Sequence, residues 1–424
     1  MRGSYTTGPD WRSVLRILFL SHYFPPEVNA PASRTHEHAR RWVADGHEVT
    51  VITGVPNHPR GEVFPGYENR LLQEENVDGI RVLRTWMYLT PNQGFLRRIA
   101  NYVLFLLTAT LASFRAERPD VVVATSPQFF CGLAGMIVSR LKRRPFVLEV
   151  RDLWPDSIVQ LGQLRNPRII RALEALETLL YRSAVAIVVN TGAFREHLVA
   201  RGVPPERIEL VYNGIDPALF HPREPDAELL RQHALERRFV VTYMGTLGLA
   251  HGLSTILEAA VDLQDRPRVQ FVLIGDGAER DRLEQEVRER RLENVKILGL
   301  RPRAEVPGWI ASSDLLLVTL RDLPVFRTVI PSKLFEFVAQ ERPVVLAAPK
   351  GEIRALVEEA DVGLVIEPEQ PEALARAVRR IMDEPEEARA RARRGLEWVR
   401  AGFLRDDQAR RMADFLARSA GCAP

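Results

Sequence analysis

Short apolar runs alternate with amphipathic segments along this chain, and the alternation runs through twice with one break between. In the first stretch the runs are Leu15 to Ser21, HEVTVITG ending at Gly54, Asp120 to Thr125, Pro145 to Val150 and Ala184 to Asn190. Uninterrupted apolar runs of this length read as strands buried on both faces, the signature of parallel sheets. The first amphipathic segment predicts a helix around Ser33 to Asp45, stopped by Gly46. The break is YNGIDPALFHPREPD, Tyr212 to Asp226, whose Asn, Gly, Asp and Pro content reads as a linker. Beyond it come Phe239 to Met244, Val269 to Ile274, Val295 to Leu298, Leu315 to Thr319 and Pro343 to Ala347. After Glu372 the chain reads as helical and arginine-rich.

The expectation is therefore α/β, with two Rossmann-like parallel-sheet domains. The 424 residues suit two cores better than one. We place a disordered or tag-like tail at 1–13, a first domain at 14–212, a second at 213–400 and a final helix at 401–424. Ligands of open parallel sheets lie beyond the carboxyl ends of the strands. Two such sheets facing each other across a linker would enclose a cleft, and the site residues should stand in loops that follow strands.

Charge and cysteine content exclude several classes. The formal net charge is +3, so no nucleic-acid-binding face follows from the total. Cys131 and Cys422 are the two cysteines, too few for a disulfide framework or a zinc site, which suits a reducing compartment. The segment MRGSYTTGPDWRS lacks the apolar core of a secretion signal. Of the 58 basic residues 54 are arginine, which singles out the lysines, Lys333 among them. Ile99 to Phe114 carries no charge and is bracketed by Arg97, Arg98 and Arg115. It is short of the roughly 20 residues of a membrane span. It reads as a buried helix of the first domain or as a helix dipping into a membrane surface.

Five loops carry candidate chemistry. SHYFPPEVNAPASR, after the first strand, has no glycine, which disfavours a dinucleotide site of the G-x-G-x-x-G type. Its Asn29 and Ala30 open a helix whose first turn carries Arg34, either an anion-attracting start or a structural loop with a surface arginine. In EVRDLWPDS the strand runs into Arg151 and Asp152, followed by Trp154. A carboxylate at a strand end suits a proton acceptor, and Arg151 would keep it ionised or meet a phosphate; the alternative is an ion pair capping the sheet. MGTLGLAHGL, with Gly245 and Thr246, and LIGDGAER, with Gly275, have glycines where backbone amides would approach a phosphate. Each is a weak signal alone.

The fifth, VFRTVIPSKLFEFVAQERPVVLA, is the strongest. Pro331 and Ser332 suit a helix start. Lys333 then lies in the first turn, where a cation opposes the helix dipole unless an anion is bound there. A diphosphate would take the amides of Ser332 and Lys333 with the ammonium. Glu336, one turn on, would accept from ribose hydroxyls. The plainer alternative is a solvated helix start.

Taken together, LFLSHYFPPEVNAPASR, RDLWPDS, VYNGID and PSKLFEFVAQERPVV resemble the family 4 glycosyltransferases of the GT-B fold. The nearest likeness is to the bacterial branch that includes L-fucosamine (N-acetylfucosamine) transferases of surface-polysaccharide assembly, O-antigen and capsule among them. The resemblance covers the chain from about residue 14 onward. It implies a UDP-sugar donor held by the second domain, with Ser332 and Lys333 on the diphosphate, Glu336 on the ribose, and Gly299 and Leu300 at the base. It also implies retention of anomeric configuration, no cofactor or essential metal, and a last helix, Phe403 to Arg418, crossing back onto the first domain.

Three departures matter. Where many members have Gly-Arg-Leu and then Lys-Gly, this chain has Gly245, Thr246, Leu247 and then His251, Gly252. The first of a pair of glutamates is Thr328. A His-Asp pair is replaced by Arg151 and Asp152. The missing cations would be made good by Lys333, Arg327 or Arg151, and Asp152 is expected to assist the acceptor, with Asn29, Ala30, Arg34 and Trp154 lining the acceptor site of the first domain.

The expected activity is transfer of an N-acetyl amino sugar or deoxy sugar to a polyprenyl-diphosphate-linked saccharide, by a peripheral protein on the cytoplasmic face of the plasma membrane. A UDP-sugar epimerase of the same shape and a non-catalytic sugar-nucleotide-binding subunit are the alternatives.

Overall fold

A computed structural model describes residues 14–422 of the protein, apart from residues 59, 91–94, 127, 161 and 163. The expected tail at 1–13 lies outside the described residues. Two units form. The first comprises the chain up to Asn190, Phe194–Tyr212 and the stretch from Asp406 onward; the second comprises Thr191–Ala193 and Asn213–Arg405.

The first unit is built on eight strands: β1 (Arg16–Leu20), β2 (Glu48–Gly54), β3 (Leu72–Val77), β4 (Ile80–Thr85), β5 (Val121–Thr125), β6 (Phe146–Val150), β7 (Ala186–Val189) and β8 (Ile208–Leu210). Their order is β3-β4-β2-β1-β5-β6-β7-β8, parallel except for the β3–β4 pair. The order reverses direction between β1 and β5, so the loops after these two strands diverge at the sheet's switch point. Every residue of β5, β6 and β7 is buried, as their apolar sequences require.

The last helix, Arg405–Ser419, is part of this core. Its Met412, Phe415 and Leu416 pack with Phe19 and Trp42, and the Trp42 indole donates to the carbonyl of Ala409 at 2.8 Å.

The second unit has six parallel strands: β9 (Phe239–Met244), β10 (Val269–Ile274), β11 (Val295–Leu298), β12 (Leu315–Thr319), β13 (Val344–Ala347) and β14 (Leu364–Ile366). The order is β11-β10-β9-β12-β13-β14, with the switch point between β9 and β12. Both sheets are thus the α/β architecture expected of the two halves. The segment read as a linker is pinned rather than loose: Ile215 exchanges backbone hydrogen bonds with Phe403 and Arg405, and the Arg405 guanidinium donates to the Gly214 carbonyl at 2.9 Å.

Among the helices, two details differ from the sequence reading. The first helix spans Ala30–Ala44, opening three residues earlier than Ser33, because Asn29 caps it and Pro31 fits its first turn. The Ile99–Phe114 stretch lies mostly in the helix Phe95–Ala112, neither wholly buried nor wholly exposed. Among the described residues no helix is long and apolar enough to cross a membrane.

Candidate active site

In the second unit, the loops after β9 and β10 run backbone against backbone. A Cβ on Gly275 would lie 1.8 Å from the carbonyl oxygen of Gly245, and φ of +147° there favours glycine. The Gly245 amide donates to Ile274 and that of Leu247 to Asp276, both at 2.9 Å. This close approach leaves a shallow backbone floor, and Lys333 reaches over it from the next loop of the switch point. A Cβ on Gly245 would fall 2.8 Å from the Lys333 Nζ.

Lys333 starts the short helix Lys333–Ala339, with Pro331 and Ser332 before it. Its Nζ stands 4.1 Å above the centre of the Tyr243 ring, and Tyr243 is held by donating to the Thr246 carbonyl at 2.8 Å. The ammonium is shielded from solvent and has no hydrogen-bond partner among the described residues. Burial pushes its pKa down to about 7, with Glu336 opposing the fall. A cation–π contact recovers part of the desolvation cost, of order 1–2 kcal/mol, but satisfies none of the three donors.

The imidazole of His251 lies close by, its Nδ1 3.0 Å from the Thr319 carbonyl. Burial and the Lys333 charge lower its pKa to about 4, so it is neutral. With Nδ1 donating to that carbonyl, Nε2 carries a lone pair. His251 therefore does not replace the cation of the family's Lys-Gly motif, and Lys333 is the buried cation of this loop cluster.

The other expected donor residues sit farther along the sheet. Gly299 and Leu300 follow β11, two strands from β9, and Leu300 is 74% exposed. The Arg280 guanidinium, paired with Glu284 at 2.8 Å, covers Gly299. Arg327 ends the turn Pro324–Arg327 and is exposed. Thr328, which replaces a glutamate of the family pattern, donates to the Val325 carbonyl at 2.9 Å and closes that turn.

In the first unit, Asn29 accepts from the Ala32 amide at 2.9 Å, Ala30 is the first helical residue, and Arg34 follows one turn in. Arg34 is only 5% exposed. Its Nε donates to Glu149 at 2.7 Å, and its two terminal nitrogens to the carbonyls of Tyr212 and Val211 at 3.0 and 2.9 Å. Burial would raise the Glu149 pKa, but Arg34 and then Arg151 outweigh it and hold the carboxylate ionised. Of the two readings of Arg34, these contacts fit the structural one, with a buried arginine in place of the surface arginine imagined from sequence. Its guanidinium ties the first helix to β6 and to the end of β8.

Arg151 donates its amide to the Ser126 hydroxyl at 2.9 Å. Burial raises the Asp152 pKa, with Ser157 and Trp154 opposing the rise. Trp154 meets Phe129 edge to face at 6.0 Å.

In the loop that follows β1, sequence reasoning singled out Asn29, Ala30 and Arg34 but passed over His22 and Glu27. His22 is buried, with Nδ1 2.7 Å from the Gln128 amide and its ring edge-on to Tyr23, Tyr102 and Phe105. Burial, and then His58, push its pKa down to about 3. Glu27 accepts from the amides of Asn57, His58 and Phe24 at 3.0, 2.9 and 3.4 Å. Burial nevertheless raises its pKa to about 7, against those hydrogen bonds and Arg84. A histidine and a glutamate bracketing an aromatic and proline run directly after a strand were the available signal.

Two α/β sheets, each with loops diverging at its switch point, are the architecture of the GT-B fold. Comparison with known proteins agrees. Residues 29–214 match the model of the glycosyl transferase 4-like domain, and residues 226–398 that of the glycosyl transferases group 1. The chain is 30% identical over 284 residues to the glycosyltransferase WbjE of Pseudomonas aeruginosa, covering 66% of this chain and 70% of that one. It is 27% identical over 380 residues to WcaI of Escherichia coli (strain K12), assigned to colanic acid biosynthesis, covering 87% and 92%.

Among solved structures it is similar to Anabaena HepE in complex with UDP-glucose, with a TM-score of 0.69, 21% identity and 95% and 100% coverage. Sucrose-phosphate synthase of Thermosynechococcus elongatus gives a TM-score of 0.74 at 20% identity, covering 96% and 99%. The protein belongs to the family 4 glycosyltransferases and is a glycosyltransferase of the GT-B type.

Proposed function

We propose that this glycosyltransferase takes its sugar from a UDP-sugar and transfers it, with retention of anomeric configuration, to a saccharide carried on a polyprenyl diphosphate. The observation that carries the donor assignment is the Lys333 ammonium, buried and without a hydrogen-bond partner above the Gly245–Gly275 floor. A diphosphate seated there would satisfy its donors and use the start of the Lys333 helix. The leaving group departs with its negative charge, so stabilising that charge is the main catalytic task. Lys333 supplies it without calling on a metal. Glu336 is assigned to the ribose, and Gly299 and Leu300 to the base. The likeness to a fold neighbour bound to UDP-glucose supports the nucleotide.

Asp152, with its raised pKa, is assigned to the acceptor hydroxyl, and Arg151 and Trp154 to positioning the acceptor. The likeness to WcaI, assigned to colanic acid biosynthesis, supports a role in bacterial surface-polysaccharide synthesis. The donor sugar is assigned as an N-acetyl amino or deoxy sugar, and the acceptor lipid implies a peripheral enzyme on the cytoplasmic face of the membrane.

The test is calorimetry with UDP, GDP and ADP in the presence of a chelator, followed by turnover of Lys333→Ala. We expect metal-free UDP binding in preference to the others, and a fall in turnover of roughly 10²–10³-fold in the variant. An unchanged rate in Lys333→Ala would remove the residue from the mechanism. Preference for GDP or ADP would replace the donor.

A further inference from the structure

The helix Phe95–Ala112 has two unlike faces. Asn101, Phe105, Ala109 and Ala112 are buried, and the helix packs against β2, β4 and the helix Phe129–Lys142. Asn101 donates to the Tyr88 carbonyl, and Thr108 to the Thr85 hydroxyl at 3.2 Å, which fixes the helix rotation. That rotation turns Val103, Leu107 and Leu111 outward, and Phe114 continues the row in the turn that follows; they are 37%, 51%, 67% and 65% exposed. Spaced by four, four and three residues, they fall within an arc of about 80°. A water-soluble surface rarely lines up four large apolar side chains in this way without something to cover them.

The ends of the row are basic. No charged residue occurs from Ile99 to Phe114, while Arg97 precedes it and Arg115 and Arg118 follow, all three exposed. The neighbouring helix is tied to the same turn, where Lys142 donates to the Ala116 carbonyl at 2.7 Å. It contributes Leu141, 52% exposed, between exposed Arg140 and exposed Arg143. Glu117 is the exposed acid of the turn.

The geometry points to an anionic lipid bilayer as the occupant of this face. The apolar row would enter the headgroup and acyl boundary while the arginines at its ends meet lipid phosphates. A second copy fits less well. Laid antiparallel, two such helices would set Arg97 of each beside Arg115 of the other, and parallel packing would pair like with like. The inference extends the proposed lipid-linked acceptor and rests on that reading for its purpose, but its test is independent of it.

The experiment is flotation of the full chain with vesicles of phosphatidylcholine alone or mixed with phosphatidylglycerol, alongside UDP calorimetry and sedimentation. We expect flotation with the mixed vesicles and little with the neutral ones. Leu111→Glu and Phe114→Glu should each lower partitioning roughly tenfold, with UDP affinity unchanged as proof of folding. Arg115→Glu, which leaves the four residues of the apolar row in place, should weaken binding to the mixed vesicles alone. Wild-type protein that stays with the unbound fraction would overturn the inference, as would glutamate variants that float like wild type. A wild-type dimer that Leu111→Glu dissolves would overturn it in favour of a self-interface. Flotation without UDP binding would leave the bilayer face standing and defeat the donor assignment.

Discussion

Arg34 in the first unit and Lys333 in the second are both cations shielded from water near a switch point, and they are finished in opposite ways. Arg34 has a protein partner on every nitrogen, with Glu149 and two carbonyls meeting its planar fork. Lys333 has an aromatic ring beneath it and no acceptor among the described residues. A buried charge with all its donors met belongs to the fold. One left without them carries a desolvation cost that a bound anion would offset. The comparison separates an architectural cation from a candidate ligand-binding one without reference to family.

The comparison breaks most visibly at Arg34. Arg34→Met should destabilise the protein by about 3–5 kcal/mol, because Glu149 and the carbonyls of Val211 and Tyr212 lose their partner. Urea unfolding would measure it, and UDP affinity should stay unchanged. An Arg34→Met variant of normal stability that fails to bind acceptor would return Arg34 to the ligand-facing class.

Glu27 is the carboxylate counterpart, and Glu27→Ala leaves the amides of Asn57, His58 and Phe24 without it. We expect a loss of about 2–3 kcal/mol in the same assay. The sign with pH is set by its pKa, raised from 4.5 to about 7. The native state binds more protons than the unfolded one across that window, so the Glu27 contribution falls as pH rises from 4.5 to 7, and Glu27→Gln should flatten the slope.

The pH dependence of Lys333 runs the other way, its pKa being lowered from 10.5 to about 7. Here the unfolded state binds more protons, so donor-free protein should gain stability from this group as pH rises between those values. Lys333→Met should abolish the gain. If Lys333 holds the diphosphate as proposed, binding uses the ammonium, and UDP affinity should decline above pH 7 by at most about tenfold per pH unit, with proton uptake on binding. Calorimetry at pH 8 in buffers of different ionisation enthalpy reads that uptake directly. A pH-independent affinity would mean that another group holds the diphosphate.

Much of this was legible in the sequence, and the failures have physical causes. Strands such as β5 (VVVAT) and β10 (VQFVLI) lie inside parallel sheets, where burial on both faces leaves an apolar run. The β3–β4 hairpin escaped because an edge pair is half wet: LQEENV and IRVLRT carry the Glu74–Arg81 and Glu75–Arg84 ion pairs across strands. Lys333 stood out as one of few lysines, placed against a helix dipole. Arg34 did not reveal its task, because Glu149 lies 115 residues away and no local pattern announces such a partner. Tyr243 was hidden by being an aromatic residue in an apolar strand, which reads as core until its ring is seen beneath a cation.

The last helix has a consequence for how the protein is made. Trp42 hydrogen-bonds to Ala409, 367 residues later, and Met412, Phe415 and Leu416 belong to the first unit's core. During translation that core stays open until the second unit has left the ribosome. A ribosome that stops near residue 400 would release a completed second sheet attached to a first unit with an uncovered apolar face around Trp42. The first unit can close its core only once the segment from Asp406 onward has been made.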